Sequence, residues 1–154
     1  MVMKPRIIDS LLIVLLIFLG LGALFGGGAL ILSPSGELLK MPLSLLKGSP
    51  FPNYLIPGII LFIVLGVTPI LTSAGMVTKK EYRIAEQLNI FHDMQWQWSF
   101  CIYVAMALIG WISLEMLFIN AVHWIHIVYI FWGLAILFLS LLPSIRKTYK
   151  KTNM

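Results

Sequence analysis

The sequence predicts an all-α membrane protein, a bundle of four transmembrane helices with an amphipathic segment between the first helix and the second. Of the 154 residues, 60% are hydrophobic and only 11% are charged, and the mean hydropathy is +0.96. Long stretches of the chain also hold no charged residue. Because soluble domains are about 25% charged, this composition excludes a soluble globular domain, a disordered chain and a nucleic-acid-binding module.

Four charge-free stretches define the predicted spans, and they cover residues 10–36, 48–78, 94–114 and 116–145. Each stretch is long enough to cross a hydrocarbon core about 30 Å thick at about 1.5 Å per residue. We therefore expect helices at about 9–32, 55–75, 98–119 and 122–142, in a single integral membrane domain over residues 1–154. The apolar run 11–32 exceeds the about 7 to 15 residues of a cleavable signal, so we expect it to remain as the first span.

The basic residues predict the orientation, because lysine and arginine resist translocation. With four spans, nine of them lie on the side of both termini and only Lys40 and Lys47 lie on the other. The nine are Lys4, Arg6, Lys79, Lys80, Arg83, Arg146, Lys147, Lys150 and Lys151. We therefore expect both termini in the cytoplasm, in a cell membrane of the bacterial inner-membrane type. This distribution also explains the net charge of +5 without a nucleic-acid partner.

The first predicted helix is rich in small residues. Gly22 and Gly26 form a small-xxx-small pair, which lets two helix backbones approach closely where lipid gives no hydrophobic drive for association. Two interpretations remain open. The pair packs against another span of the same chain, or it forms the face of a homodimer.

The connection between the first two spans, residues 33–54, is not a simple polar loop. Its polar residues recur at intervals of 3, 4 and 3, at Glu37, Lys40, Ser44 and Lys47, with apolar residues between them. This pattern is typical of a helix that lies in the membrane interface. Because Pro42 is incompatible with a straight helix interior, the helix is either kinked there or short and begins near Pro42. We expect a structural lid or, alternatively, a surface that contacts a substrate or partner.

The connection that follows the second span predicts an amphipathic cytoplasmic helix. Thr78 and Glu81 have the spacing of a capping box, and apolar residues follow at helical spacing. Trp96 and Trp98 then indicate the headgroup level. His92 and Asp93 lie in the same polar stretch, and we expect them to be solvated.

One group of residues in the predicted spans has side chains that can bind a proton, a ligand or a metal ion. A charged residue at a helix centre costs about 2.5 to 3.5 kcal/mol, and Glu115 is the one Asp, Glu, Lys or Arg in the predicted spans that does not lie at a span's very end. A short turn after the third span places His126 at matching depth, and His123 shares its helix face at i, i+3. Three alternatives remain open: a structural polar cluster, a proton-coupled or lipophilic-ligand site at Glu115 and His126, and a metal site of all three residues. The shallow depth of Glu115 disfavours transport.

No pattern rises to a catalytic signature. The sequence has no phosphate-binding glycine loop, no paired carboxylates and no strong metal motif, and its single cysteine, Cys101, excludes a dithiol oxidoreductase. We therefore expect no cofactor and no metal, and we place an enzyme last. The first hypothesis is a structural or interaction subunit, or a small oligomer, with the lipid bilayer and another membrane protein as partners. The alternative is a small transporter or a lipophilic-ligand-binding protein that uses Glu115 and His126.

Residues 34–62, PSGELLKMPLSLLKGSPFPNYLIPGIILF, carry a resemblance to a known family. With its PSG turn, MPLSLL segment, SPF turn and LIPG start of the second span, the chain resembles an uncharacterised family of small bacterial proteins with four transmembrane helices. The resemblance extends to Trp96 and Trp98. It implies the four-span architecture and implies no activity, cofactor or site residue.

Overall fold

The computed structural model describes residues 5–152, and four helices in this range are long and apolar enough to cross a membrane. They are α1 Pro5–Leu32, a composite second span Leu55–Thr78, α5 Trp96–Ile119 and α6 Trp124–Leu141. The predicted all-α bundle of four spans is confirmed, and the predicted helix ends differ from these by at most four residues. Lys4, which the orientation prediction counted, lies outside the described residues.

The second span combines three helical segments, α2 Leu55–Ile60, a π-helical stretch Leu61–Val67 and α3 Thr68–Thr78. The widened turn has a local cause, since Pro69 has no N–H and its ring would clash with the carbonyl of Leu65 four residues earlier. The chain avoids this clash by widening the helical turn, so that a hydrogen bond joins residues five positions apart. Both the N–H and the hydroxyl of Thr68 donate to the carbonyl of Ile63, the hydroxyl at 3.0 Å.

The spans pack in two pairs. α1 runs along the whole second span, and α5 and α6 form a hairpin that α3 and α1 contact. The core lies between the pairs and consists of fully buried aliphatic side chains from all four spans, which include Leu12, Leu16, Leu65, Val104, Ala105, Leu108 and Ile136. We call the end of the bundle at which α1 begins and α6 ends the terminal face, and the opposite end the distal face.

The close contact of α1 with the second span is made at Gly20 and Gly27 and not at the predicted pair. A Cβ atom on Gly27 would lie 2.7 Å from the backbone nitrogen of Phe62 and 2.8 Å from the carbonyl oxygen of Gly58. At Gly22, by contrast, no atom lies within 4 Å of such a Cβ, and at Gly26 the nearest is a Leu61 side-chain atom at 3.7 Å. Of the two interpretations of Gly22 and Gly26, a close contact with another span of the same chain is not made in the structure, because these glycines lie on a more open side of α1. The homodimer face stays a prediction.

The connection over the distal face, residues 33–54, forms two 3₁₀ helices, Glu37–Leu39 and Leu43–Leu46, in place of one amphipathic helix. The first contacts α1 and the second contacts α5. Lys40 ends the first helix in the left-handed conformation, at φ 54°, and Pro42 lies directly before the second. Of the two expectations for Pro42, the structure has the short helix that begins beside it. We call residues 33–54 the distal segment.

The predicted capping box at Thr78 and Glu81 is wrong. Thr78 belongs to the last turn of α3, where its hydroxyl donates to the carbonyl of Ala74 at 2.8 Å. The helix ends there because Lys79 turns into the left-handed conformation, at φ 53°. The connection then holds only the short helix α4 Arg83–Gln87. His92 and Asp93 follow in irregular backbone and are exposed, as expected.

The ends of α5 and α6 complete the terminal face. Trp96 and Trp98 begin α5 but are buried, at 2% and 5% exposure, and do not face lipid. Their indole nitrogens donate to the carbonyls of Lys80 and Ser140, at 3.0 and 2.7 Å. At the end of α6 the chain turns at Leu142 and continues as α7 Pro143–Tyr149.

Candidate functional site

Glu115 is the predicted site residue that borders empty space inside the bundle. It lies in α5, four residues before the helix ends at Ile119, and therefore about 6 Å from the distal end of the helix. Its side chain is half-buried. Within residues 5–152, no side-chain hydrogen bond and no ion pair reaches its carboxylate.

An apolar cavity of about 230 Å³ lies beside Glu115, beneath the distal segment. Its walls come from that segment, from the start of the second span and from the last turns of α5. Among the described residues that line it, Glu115 is the single charged side chain, and most of the others are large aliphatic or aromatic groups such as Met41, Leu45, Phe51 and Trp111. The cavity therefore has the composition of a lipophilic binding pocket, an apolar chamber with one polar group.

A second cavity of about 170 Å³ lies deeper, between α1, the second span, α5 and α6. It shares Leu61, Trp111 and Glu115 with the first cavity, so the carboxylate stands where the two meet. Gly22 and Gly26 form part of its wall on α1. These glycines thus leave room beside Glu115 where larger side chains would fill the gap between the helices.

The roof of the first cavity is held by Tyr54, which is 3% exposed. Its backbone N–H donates to the carbonyl of Pro34 and its hydroxyl to the carbonyl of Pro42, both at 2.9 Å. Burial, together with the nearby carboxylate of Glu115, raises the pKa of Tyr54. The hydroxyl therefore stays protonated and keeps donating to Pro42. Phe51 closes the roof by an edge-to-face contact with Phe118, with ring centroids 6.2 Å apart.

His123 and His126 lie at the start of α6 and line neither of these two cavities. His123 is the N-cap residue, and His126, 6% exposed, accepts a hydrogen bond from the backbone N–H of His123 at 3.2 Å. This bond is the back-reaching half of a capping box. The structure thus joins the two histidines in a helix cap, and it shows no hydrogen bond or ion pair from either to Glu115. Over residues 5–152, no three His, Cys, Asp or Glu side chains form a group able to hold a metal ion.

A polar cluster on the terminal face was missed from the sequence. The hydroxyl of Tyr149 donates to the carboxylate of Asp9 at 2.6 Å and accepts a hydrogen bond from the ammonium of Lys79, also at 2.6 Å. Lys79 and Asp9 form an ion pair at 3.6 Å. Burial and the Asp9 carboxylate raise the pKa of Tyr149, which keeps its hydroxyl protonated. The cluster ties together the start of α1, the end of α3 and the end of α7.

Glu86 in α4 forms a second terminal cluster. Its carboxylate accepts hydrogen bonds from the Lys151 ammonium at 2.7 Å, from the Trp96 N–H at 3.1 Å and from Asn89 at 3.4 Å. Burial acts to raise the pKa of Glu86, but these hydrogen bonds outweigh it and hold the pKa below its ordinary value. Glu86 thus fixes Lys151 against the start of α5.

Glu115 was found from the sequence because a single acidic residue in an apolar stretch is easily recognised there. It missed both terminal clusters, since their members are as much as 140 positions apart. The one signal available was the presence of acidic residues beside basic residues near the predicted ends of the spans.

In comparisons with known proteins, no protein-family model, no curated protein and no solved structure matches the chain.

Proposed function

We propose that this multi-pass membrane protein binds a lipophilic ligand in the cavity beneath the distal segment, with Glu115 as the group that binds a hydrogen-bond donor of the ligand. The observation that carries the proposal is the position of Glu115 between two apolar cavities, with no partner for its carboxylate among the described residues. A polar group in apolar surroundings is costly unless it is hydrogen-bonded. A ligand that brings a hydroxyl, amide or ammonium group supplies that bond.

The size of the cavity limits the ligand. An engineered apolar cavity of about 150 Å³ holds benzene, so about 230 Å³ fits one substituted ring or a short acyl segment. Glu115 lies about 6 Å from the distal end of α5. This depth favours binding from the distal side over transport across the bilayer, since transporter sites lie near the midplane. We leave His126 out of the proposed site because it caps α6.

The test fills the cavity with a larger side chain. Leu45 lines the cavity, whereas Leu43, in the same 3₁₀ helix, is 45% exposed and does not. We expect Leu45→Trp to displace the ligand and Leu43→Trp to leave it bound, because only the first indole enters the cavity. Glu115→Leu removes the polar contact and is expected to deplete the ligand as well.

The measurement is the small-molecule content of each purified protein, from an organic extract analysed by mass spectrometry and normalised to bulk phospholipid. The proposal predicts one lipophilic species near one molecule per chain in the wild type and in Leu43→Trp. It is wrong if no species exceeds the bulk-lipid background. Equal retention by Leu45→Trp and Leu43→Trp, with both folded, also refutes it.

A second candidate function is assembly into a small oligomer through α1. Large apolar side chains on this helix are exposed at intervals of 4 and 3, the spacing of a helix–helix seam, at Ile7, Leu11, Val14, Phe18, Leu21 and Phe25. Gly22 lies beside this stripe and has open space above it. We propose a second copy of the chain, or another membrane protein, as the partner of this face.

The matched controls for assembly are two open glycines. Neither Gly22 in α1 nor Gly110 in α5 has an atom within 4 Å of an added Cβ. Because Gly22 also lines the second cavity, folding of each leucine variant is checked before dimers are counted. We expect Gly22→Leu to lower the dimer fraction, counted by single-molecule photobleaching in lipid vesicles, and Gly110→Leu to leave it unchanged. A monomeric wild type refutes assembly with a second copy of the chain.

We further propose that both termini are cytoplasmic and that the membrane is a bacterial inner membrane. The distribution of basic residues supports the orientation, since within residues 5–152 the distal face holds only Lys40 and Lys47 while the other basic residues lie on the terminal face. The resemblance predicted from residues 34–62 to small bacterial four-span proteins implies the compartment. Reporter fusions after residue 154 test the orientation: a fluorescent protein is expected to fold there, and a periplasm-dependent phosphatase is expected to stay inactive.

A further inference from the structure

α7, which directly follows the fourth span, is an amphipathic helix. Ile145 and Tyr149 are each 1% exposed and pack into the bundle, while Arg146 and Lys147 are exposed on the opposite side. Pro143 lies on the side of Arg146 and Lys147 by its helical spacing. Lys150 follows the helix in extended backbone and lines the same groove as these two residues. The chain therefore presents a row of three cations at the point where it leaves the bilayer.

These cations line a groove of about 270 Å³. One wall consists of Arg146, Lys147 and Lys150, and the other of Asp93 and Met94. Leu141 and Pro143 form its apolar lower end, next to the last turn of the fourth span. The groove thus spans the boundary between apolar and charged surroundings.

Backbone hydrogen bonds hold the two walls together. The N–H of Gln95 donates to the carbonyl of Tyr149 at 2.8 Å, and the N–H of Lys151 donates to the carbonyl of Asp93 at 2.9 Å. Met94 and Lys150 form an isolated antiparallel bridge between these bonds. The groove is therefore formed by the fold itself, before any ligand binds.

The charges in the groove do not compensate one another. Its lining holds three cations and one carboxylate, and within the described residues none of the three cations forms an ion pair, whereas Lys79 and Lys151 nearby are both paired. The Arg146 guanidinium lies 5.9 Å from the ring of Trp98, which holds its side chain near the start of α5. The groove therefore carries two uncompensated positive charges.

We propose that this groove binds the phosphate headgroup of an anionic phospholipid. Basic pockets beside transmembrane helices suit such headgroups, and the apolar lower end places Leu141 where the acyl chains begin. A soluble phosphate would use the cations alone and gain nothing from that apolar end. The inference is independent of the Glu115 cavity, which lies at the other face of the bundle.

The test is a lipid titration of the purified protein in neutral detergent, with bound lipid counted by native mass spectrometry. The probes are dioleoylphosphatidylglycerol, dioleoylphosphatidylcholine and inorganic phosphate. Each basic residue near an anionic surface strengthens binding about fivefold. We therefore expect the double variant R146Q/K147Q to weaken phosphatidylglycerol binding about twenty-fivefold.

The matched control is K80Q/R83Q, which removes two exposed cations from the same face outside the groove. We expect it to weaken binding less than threefold. Asp93→Asn removes the opposing carboxylate and is expected to tighten binding about fivefold. If R146Q/K147Q does not fold, K147Q/K150Q carries the same expectation.

Three results overturn the proposal. The first is an equal loss of binding in K80Q/R83Q, because a general positive field then explains the affinity. The second is equal binding of phosphatidylcholine and phosphatidylglycerol. The third is displacement of phosphatidylglycerol by inorganic phosphate at the same concentration, which assigns the groove to a soluble anion.

Discussion

The contact between Gly27 of α1 and the second span predicts a sharp difference between two alanine variants. At Gly27, an added Cβ meets the backbone nitrogen of Phe62 and the carbonyl oxygen of Gly58 at 2.7 and 2.8 Å. At Gly22, a Cβ meets no atom within 4 Å. Both glycines lie inside α1, so the gain in helix propensity from alanine, about 1 kcal/mol, is the same for both. The difference between Gly27→Ala and Gly22→Ala therefore isolates the steric effect.

The size of that effect follows from the distances. Ordinary contacts begin near 3.4 Å, so the two helix backbones must separate by about 0.7 Å at Gly27. A gap of 0.5 to 1 Å forfeits about a quarter to a half of the dispersion attraction of each contact it opens. Because the atoms in the way belong to a helix backbone, no single side chain relieves the clash by rotating. We expect Gly27→Ala to be less stable than Gly22→Ala by about 1 to 3 kcal/mol, the usual cost of overpacking.

Reversible unfolding in mixed micelles at increasing dodecyl sulfate, followed by circular dichroism, measures this difference. Gly22→Ala is expected to unfold at or slightly above the denaturant level of the wild type, and Gly27→Ala clearly below it. If the two variants unfold together, the glycine contact between α1 and the second span does not determine their packing. Gly20→Ala is a less sensitive comparison, because its nearest neighbours at 2.6 and 2.7 Å are the flexible end of Ile70.

Two predictions concern the terminal clusters. Tyr149→Phe removes a hydrogen bond to the charged Asp9 and is expected to lower the free energy of unfolding by about 1.5 kcal/mol. The control is Tyr82→Phe, which is expected to leave that free energy unchanged, because the Tyr82 ring is exposed and its hydroxyl forms no hydrogen bond among the described residues. The folded-state pKa of Glu86 lies below its ordinary value of 4.5, so Glu86 stabilises the fold above that pH and loses this contribution as the pH falls below it. We expect Lys151→Gln to flatten the loss of stability between about pH 5 and pH 3, measured by thermal unfolding at each pH; an unchanged slope contradicts the role of this ion pair.

The four spans were predictable because the membrane makes composition decisive. A span is about 20 residues long, and a single charge inside it is costly enough that charges mark the ends of spans. The charge-free stretches therefore match the helices of the structure. Glu115 was predictable for the same reason. The cavity beside it was not, because its roof is formed by the distal segment, which lies far from Glu115 along the chain.

The local predictions that failed did so through conformations that sequence spacing does not reveal. Thr78 and Glu81 have capping-box spacing, but Lys79 takes the left-handed conformation, so the helix before it ends where a new helix was expected to start. The HxxH spacing of His123 and His126 was considered as part of a metal site, while the structure uses it as a helix cap. In both cases the same residues satisfy backbone groups at a helix end, a requirement that competes with any functional use of the pattern.

The two faces of the bundle differ in how they are held, and this difference bears on ligand access. At the terminal face, charged side chains bond across long sequence separations, as in the contacts of Tyr149 with Asp9 and of Lys151 with Glu86. At the distal face, the one side-chain hydrogen bond across more than ten residues in the described part of the chain is that from Tyr54 to Pro42. The backbone bond from Tyr54 to Pro34 and apolar contacts such as that of Phe51 with Phe118 complete this face. Local opening occurs where fewest bonds must break. We therefore expect the distal segment to be the part of the bundle that opens at least cost, and under the proposed function a ligand enters toward Glu115 from that side.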